Sequence, residues 1–213
     1  MIVKVCGIRS IEELEFVERY ADFAGVVMDS SSKRFVDYGV AREIIEVASI
    51  PVFAVLTCSS FDDACRTAGK INAECLQIHS GIFPVSDFLM LKDHGFRLIK
   101  AFRIPKRSRD FRRDAENTVR RIEQYKPDFA LLDTGRGTGE LHDLRVSREV
   151  AKVERVILAG GLNPGNVRSA VEFVKPIGVD VSGGVERNGR KDESLVRRFV
   201  KNVKAGISER VIR

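Results

Sequence analysis

Two glycine turns near the carboxyl end of the chain have the residue types and spacing that suit chemistry with a phosphate. In each of the segments 158–166 and 179–186, a short apolar run leads into adjacent glycines. Adjacent glycines let backbone N–H groups approach an oxyanion closely, and the start of a following helix adds partial positive charge. The two turns therefore predict a phosphate site. Its predicted residues are Gly160, Gly161, Ser182, Gly183 and Gly184.

Further side chains with acid–base or charged groups follow other apolar runs. These candidates are Cys6, Arg34, His79 and Asp133. A thiol and a carboxylate can exchange protons with a substrate, and a guanidinium can bind an anion through two hydrogen bonds. Beside a phosphate site, they suit acid–base work on a phosphorylated small molecule. Each has an ordinary alternative: Cys6 as a core residue, Asp133 as the start of an Asx turn, and His79 as a hydrogen-bonded strand-end histidine.

The elements that must position these residues are short apolar runs alternating with longer amphipathic segments. The eight apolar runs are residues 2–6, 23–27, 52–56, 75–78, 96–101, 129–132, 156–159 and 177–181. The helical patterns are residues 11–20, 41–48, 62–68, 87–94, 112–125, 166–174 and 195–205. Such alternation predicts an α/β protein, a parallel (β/α)8 barrel whose strand ends and following loops form the active face. A doubly wound open sheet stays as the alternative, because periodicity does not show whether a sheet closes.

The chain of 213 residues is at the lower end for an eight-unit barrel, and no Pro/Ser-rich linker divides it. We therefore expect a single barrel domain over residues 1–213. Residues 103–113 form the densest basic stretch, but no aromatic platform or zinc motif accompanies them. Despite the formal charge of +6, we interpret these side chains as a solvated face and expect no nucleic-acid partner.

Composition also limits the compartment and the cofactors. Apolar stretches are far shorter than a membrane span, and no secretory signal pattern opens the chain, so we expect a cytoplasmic protein without membrane contact. The four cysteines show no CxxC spacing, the three histidines are scattered, and neither GxGxxG nor GxxxxGK[ST] occurs. We accordingly expect no disulfide framework, no metal and no nucleotide cofactor.

Seven motifs in order resemble those of the phosphoribosylanthranilate isomerase family, the (β/α)8 enzymes of tryptophan biosynthesis. They are residues 3–8, 32–36, 76–79, 99–103, 131–133 with 137–139, 159–167 and 179–186. The resemblance runs through almost the whole chain. Each motif is weak to moderate alone, but their order is specific.

The resemblance implies an Amadori rearrangement of N-(5′-phosphoribosyl)anthranilate to 1-(o-carboxyphenylamino)-1-deoxyribulose 5-phosphate, without a cofactor. It implies Asp133 as the acid that opens the furanose ring and Cys6 as the base that removes the C2 proton. It also makes Arg34 the partner of the anthranilate carboxylate. We place His79 among the substrate-binding residues, outside the catalytic pair. Whether the protein is a monomer or a homodimer stays open.

Two alternatives remain at this point. One is the histidine-biosynthesis isomerase, which performs the same rearrangement on another phosphoribosyl substrate. It typically uses two aspartates, and Cys6 at the position of the first speaks against it, although dual specificity is harder to exclude. The other is a non-catalytic phosphosugar-binding protein, which would need the glycine turns but neither Cys6 nor Asp133.

The sequence departs from the family pattern at two loops. Residues 182–184 read Ser-Gly-Gly where many members have Ser-Ser-Gly, which removes one hydroxyl from the phosphate turn. We interpret the loop 135–139 as a mobile lid, and the stretch between Asp133 and Gly137 looks shortened. Residues 141–143 read Leu-His-Asp where Phe-Asp-Trp is common, so His142 either lines the pocket or is exposed.

The two catalytic roles place opposite demands on acidity. A free thiol has a pKa of about 8.5, so a nearby cation would help Cys6 to act as a base. Lys4 lies on the same strand face two residues earlier and is a candidate for that cation. Asp133 must instead hold a proton near neutral pH, which burial or a neighbouring negative charge would favour.

Overall fold

A closed barrel of eight parallel strands forms the centre of the molecule. The computed structural model describes residues 1–135 and 140–208. The strands are β1 (Ile2–Cys6), β2 (Phe23–Val27), β3 (Val52–Leu56), β4 (Cys75–Ile78), β5 (Arg97–Arg103), β6 (Phe129–Asp133), β7 (Val156–Leu158) and β8 (Gly178–Val181). Each strand pairs with the next in parallel, and β8 pairs with β1 at Lys4 and Asp180. This closing ladder confirms the predicted barrel and excludes the open sheet.

Eight helices follow the strands around the outside of the barrel. They are α1 (Ile11–Glu18), α2 (Tyr38–Val47), α3 (Phe61–Ile71), α4 (Val85–Asp93), α5 (Phe111–Tyr125), α6 (Leu144–Val150), α7 (Val167–Val174) and α8 (Glu193–Ser208). At five of these helices a side chain caps the amino-terminal end by accepting a hydrogen bond from a backbone N–H of the first turn. These capping residues are Ser10, Asp37, Ser60, Asp110 and Asp143. No helix among the described residues combines the length and the apolar character that a membrane span requires.

One helix after β6 and the short elements after β8 were absent from the sequence prediction. Helix α6 has only seven residues, too few for a clear helical period, and Asp143 caps it. After β8 comes a single 3₁₀ turn (Gly183–Val185), followed by a hairpin of two short antiparallel strands, β9 (Glu186–Arg187) and β10 (Arg190–Lys191). The hairpin brings together two charged residues, Glu186 at its start and Lys191 at its end.

Apolar side chains fill two layers. The larger core lies between the barrel and its helices, while a second cluster fills the barrel interior with residues such as Phe23, Phe53, Leu131 and Ile157. The Phe23 and Phe53 ring centroids are 5.3 Å apart. A packed interior closes the barrel to solvent along its length, so chemistry is confined to its mouth.

Candidate active site

Strand ends gather the predicted site residues at one edge of the barrel. Cys6 ends β1 and Asp133 ends β6, while His79 directly follows β4. The glycine pair 160–161 follows β7 closely, and the turn 182–184 follows β8. Because the strands are parallel and in one closed sheet, all these positions lie at the carboxyl-terminal mouth.

Cys6 is a buried thiol with a buried lysine beside it. Its side chain faces Gly25 of the neighbouring strand, where an added Cβ would lie 3.1 Å from Cys6 Sγ and 3.1 Å from Lys4 Nζ. Glycine at position 25 thus leaves the space that the thiol and the ammonium share. Lys4 Nζ also lies 2.9 Å from Asp180 Oδ1, in a pair that is almost wholly buried.

Burial raises the pKa of the Cys6 thiol, and the Lys4 charge and hydrogen bond lower it without cancelling that effect. The pKa of Cys6 therefore lies above its ordinary value. Lys4 acts in the direction expected from its position on the same strand face, but it does not bring the pKa of Cys6 down to its ordinary value.

Asp133 is held as a carboxylate. Its Oδ2 lies 3.1 Å from His79 Nε2, and its Oδ1 accepts a hydrogen bond of 2.8 Å from the Thr134 N–H. Burial raises the pKa of Asp133, but the hydrogen bonds and charge of His79 and the backbone N–H groups of residues 134 and 135 outweigh it. The pKa lies below its usual range, contrary to the expectation that burial would keep Asp133 protonated.

His79 has a more direct place in the site than the sequence indicated. Its side chain is 30% exposed and contacts Asp133, and its Nδ1 lies 3.5 Å from Gln77 Nε2. The described residues offer the buried Gln77 Oε1 no hydrogen-bond partner. The imidazole thus connects the Asp133 carboxylate to solvent at the mouth.

Arg34 crosses the mouth between the turns that follow β1 and β8. A Cβ at Gly7 would lie 2.6 Å from Arg34 Cδ, and one at Gly183 would lie 2.8 Å from Arg34 Nη2. The guanidinium donates from Nε to Glu186 Oε1 at 2.6 Å and from Nη2 to Glu186 Oε2 at 2.9 Å. Sequence reasoning missed Glu186 as a partner, because the bond joins residues 152 positions apart.

The two predicted phosphate turns pack against each other. Gly160 and Gly161 have φ values of +81° and +68°, a conformation that glycine adopts without strain. A Cβ at Gly184 would lie 1.9 Å from the Leu162 carbonyl oxygen. The Ser182 hydroxyl donates to the Cys6 carbonyl oxygen at 2.8 Å, so the single proton of this hydroxyl is committed to β1. The donors that this turn still offers to an anion are therefore backbone N–H groups.

Replacing Gly184 by alanine is expected to force the β7 and β8 turns apart. The added methyl would overlap the Leu162 carbonyl, and such overpacking costs about 2–3 kcal/mol. We expect the melting temperature to fall by roughly 4–12 °C and inorganic phosphate to inhibit more weakly. Gly69→Ala in α3 is the control, because its Cβ would meet no atom within 4 Å. An unchanged melting temperature and phosphate affinity for Gly184→Ala would contradict this tight packing.

The region after β6 carried two predictions, one for the lid and one for His142. Residues 136–139 of the predicted lid, including Gly137 and Gly139, lie outside the described residues. His142 is 3% exposed, and its Nε2 lies 2.5 Å from Ser147 Oγ. Burial lowers the pKa of His142 to about 4, so the ring is neutral. His142 is therefore a buried residue, and the alternative that it is simply exposed was wrong.

The fold and the position of these groups define the class: a (β/α)8-barrel enzyme whose acid–base groups and anion-binding turns share the carboxyl-terminal mouth. Among the residues that the structure describes, no three His, Cys, Asp or Glu side chains converge as they would to hold a metal ion.

Comparison with known proteins identifies the family. The family model for N-(5′-phosphoribosyl)anthranilate (PRA) isomerase matches residues 3–202. The N-(5′-phosphoribosyl)anthranilate isomerase of Pyrococcus abyssi is 50% identical over 204 residues, which are 96% of this chain and 98% of that relative. The chain belongs to the N-(5′-phosphoribosyl)anthranilate isomerase family and is an isomerase of tryptophan biosynthesis.

Solved structures agree with this assignment. The N-(5′-phosphoribosyl)anthranilate isomerase of Pyrococcus furiosus has a TM-score of 0.90 at 45% identity, covering 96% of this chain and 99% of that one. A second phosphoribosyl anthranilate isomerase, with a TM-score of 0.78 at 30% identity, covers 96% of this chain and 100% of that one. That enzyme is in complex with reduced 1-(o-carboxyphenylamino)-1-deoxyribulose 5-phosphate.

Proposed function

We propose that this chain rearranges N-(5′-phosphoribosyl)anthranilate with Asp133 as the general acid and Cys6 as the general base. The observation that carries these roles is the placement of a buried thiol and a partly buried carboxylate at the ends of β1 and β6, at the same mouth as the two glycine turns. A base and an acid on opposite sides of one mouth suit a reaction that protonates one atom of a substrate and deprotonates another.

The acid step opens the sugar ring. Asp133 donates its proton to the furanose ring oxygen, the C1–O bond breaks, and the anthranilate nitrogen lone pair forms an iminium with C1. In the next step Cys6, as a thiolate, takes the proton from C2. The electrons of that C–H bond form the C1–C2 double bond of an enolamine, and the π electrons of the iminium return to the anthranilate nitrogen. Protonation at C1 and loss of the C2 hydroxyl proton then give the ketone.

In this structure the proton that the acid step needs is on Cys6, and Asp133 lacks it. Asp133 is a carboxylate and Cys6 is a thiol, whereas the reaction needs a carboxylic acid and a thiolate. The two forms differ only in the location of one proton, so binding has to shift that proton without any net uptake. A substrate that carries a phosphate and a carboxylate raises the pKa of a nearby carboxyl group, and His79 lies at hydrogen-bond distance from Asp133 to relay the proton.

The remaining site residues bind the anions of the substrate. We assign the phosphate to the turns 160–161 and 182–184, where backbone N–H groups can surround it without steric hindrance from side chains. We assign the anthranilate carboxylate to Arg34, whose planar guanidinium suits paired hydrogen bonds. The ligand is thus a phosphorylated small molecule. A cytoplasmic location, a monomeric or homodimeric state and the lack of a nucleic-acid partner remain predictions.

The test of the assignment follows the fluorescence of the substrate. Phosphoribosylanthranilate is generated in situ, and the loss of its anthranilate-like fluorescence is measured with the purified protein and with Cys6→Ser. Loss that depends on Cys6 supports the roles proposed here. If the protein shows no turnover, the phosphoribosyl-aminoimidazole substrate of the histidine pathway is the next compound to assay, and it also tests dual specificity.

Replacing Arg34 by alanine is expected to weaken substrate binding far more than it slows the chemical step. A hydrogen-bonded ion pair contributes about 1.5–3 kcal/mol, which corresponds to roughly a tenfold to hundredfold rise in KM. Steady-state kinetics measure KM and kcat separately. Arg66→Ala on the outer helix α3 is the control, since this exposed arginine pairs only with its helix neighbour Asp63. An unchanged KM for Arg34→Ala would make Arg34 an ordinary surface cation.

A further inference from the structure

The guanidinium of Arg34 is held along one edge only. Glu186 accepts from Nε and Nη2, which is the side-on arrangement of an arginine–carboxylate pair. Among residues 1–135 and 140–208, no protein atom accepts a hydrogen bond from Arg34 Nη1. The end of the guanidinium, formed by Nη1 and the second Nη2 proton, can therefore donate hydrogen bonds to a second carboxylate.

Glycines in two turns leave room for the Arg34 side chain. A Cβ at Gly7 would lie 2.6 Å from Arg34 Cδ, and one at Gly183 would lie 2.8 Å from Arg34 Nη2. Arg34 therefore lies across the mouth, between the turn that follows Cys6 and the turn that follows β8. The paired hydrogen bonds to Glu186 orient the guanidinium plane.

Glu186 is itself held by a buried cation. Lys191 Nζ lies 2.8 Å from Glu186 Oε1 and also donates to the Ser182 carbonyl oxygen at 3.2 Å, and its side chain has no exposed surface. Despite burial, the Arg34 and Lys191 contacts lower the pKa of Glu186 to about 2, so the carboxylate is ionised at any working pH. Burial lowers the pKa of Lys191, while the charge and hydrogen bond of Glu186 raise it. With Lys191 protonated, two cations and one carboxylate give this cluster one net positive charge, which suits an anionic ligand.

We propose that Glu186, held by Lys191, is a positioning residue that aims the free end of Arg34 at the carboxylate of the substrate. The proposal rests on the role of Arg34 given under the proposed function. It differs from the alternative that Glu186 occupies Arg34 and competes with the substrate for it. Competition would require both carboxylates to use the same edge, whereas the side-on pair leaves the other edge free.

The experiment compares Glu186→Gln, Lys191→Met and Arg34→Ala, with the Arg34→Ala/Glu186→Gln double variant. Glutamine keeps the shape of Glu186 but places an amide donor against Arg34 or Lys191. Glu46→Gln on α2, which removes a carboxylate from the exposed pair with Arg42, is the control. KM and kcat are measured with phosphoribosylanthranilate. Kd is measured for the reduced product analogue and for the same compound without its carboxylate.

We expect Glu186→Gln and Lys191→Met to raise KM about tenfold with a much smaller change in kcat, since a misplaced binding group loses affinity. The double variant should bind no more weakly than Arg34→Ala alone. The loss should be confined to the analogue that carries the carboxylate, a distinction that a purely structural role would not produce.

Other outcomes overturn the proposal in recognisable ways. A lower KM for Glu186→Gln would show competition, and an equal loss of affinity for both analogues would show general damage to the turn after β8. An unchanged KM for Glu186→Gln, with a raised KM for Arg34→Ala, would remove the positioning role and leave the proposed function intact. An unchanged KM for Arg34→Ala would overturn the role of Arg34 itself and this proposal with it.

Discussion

Asp133→Asn is expected to lower kcat by a factor of about a hundred or more while the barrel remains folded. An asparagine cannot donate a proton to the ring oxygen, and general acids commonly contribute that much. The amide oxygen can still accept the hydrogen bond from the Thr134 N–H, and the amide NH2 at the position of Oδ2 can donate to a neutral His79 ring. We therefore expect a nearly normal melting temperature and a KM within a few-fold of the wild-type value. Stopped-flow or steady-state fluorescence measures the rate.

Asp128, just before the start of β6, provides a matched control for Asp133 at the end of that strand. Asp128 Oδ2 accepts a hydrogen bond from the Leu98 N–H at 2.7 Å, at the amino-terminal end of the barrel and away from the mouth. Asp128→Asn removes one negative charge from a hydrogen-bonded aspartate, as Asp133→Asn does. It should leave kcat within a few-fold of the wild-type value. A similar loss of kcat in both variants would mean that the effect of Asp133→Asn is structural.

Cys6→Ser is expected to reduce turnover by a comparable factor, about a hundred or more. A serine hydroxyl keeps the hydrogen-bonding shape of the thiol but is far less acidic, so it cannot supply the base. Cys75→Ser is the control because Cys75 begins β4, at the opposite end of the barrel from Cys6. Near-normal turnover by Cys6→Ser would remove its assigned role, whatever Cys75→Ser does.

The pH dependence of kcat/KM tests the same two groups together. The lowered pKa of Asp133 and the raised pKa of Cys6 place both outside the neutral range in the free protein. Catalysis needs one proton shared by the pair, so kcat/KM should fall below the Asp133 pKa, where both groups are protonated. It should also fall above the Cys6 pKa, where neither is. Between the two values it should be flat.

The alkaline limb identifies the base. We expect it above the ordinary thiol pKa of about 8.5 in the wild-type protein and expect Cys6→Ser to abolish it. Cys75→Ser should retain it. A profile that falls near pH 6–7 and persists in Cys6→Ser would instead assign the controlling proton to a different group.

The sequence alone led to much of the fold because its signals are local. The apolar runs match β1 to β4 in full and lie within two residues of the other strand bounds. Short length explains why helix α6 and the hairpin β9–β10 were missed, since neither spans enough residues for a period to appear. The candidate residues shared a simpler signal, because each lies at the end of an apolar run or in the segment that follows one. In a parallel barrel, all such positions are at the same mouth.

By themselves, the residue types, their order and the glycine positions determined the eight strand–helix units and the family resemblance. They left open whether the sheet closes, which the ladder between β8 and β1 decided. Only the tertiary structure decided which groups touch: Lys4 with Asp180, His79 with Asp133, and Arg34 with Glu186. It also decided the direction of each pKa shift. The physical reason is that burial and hydrogen bonding between residues far apart in the chain set these properties, and no local pattern in the sequence specifies either one.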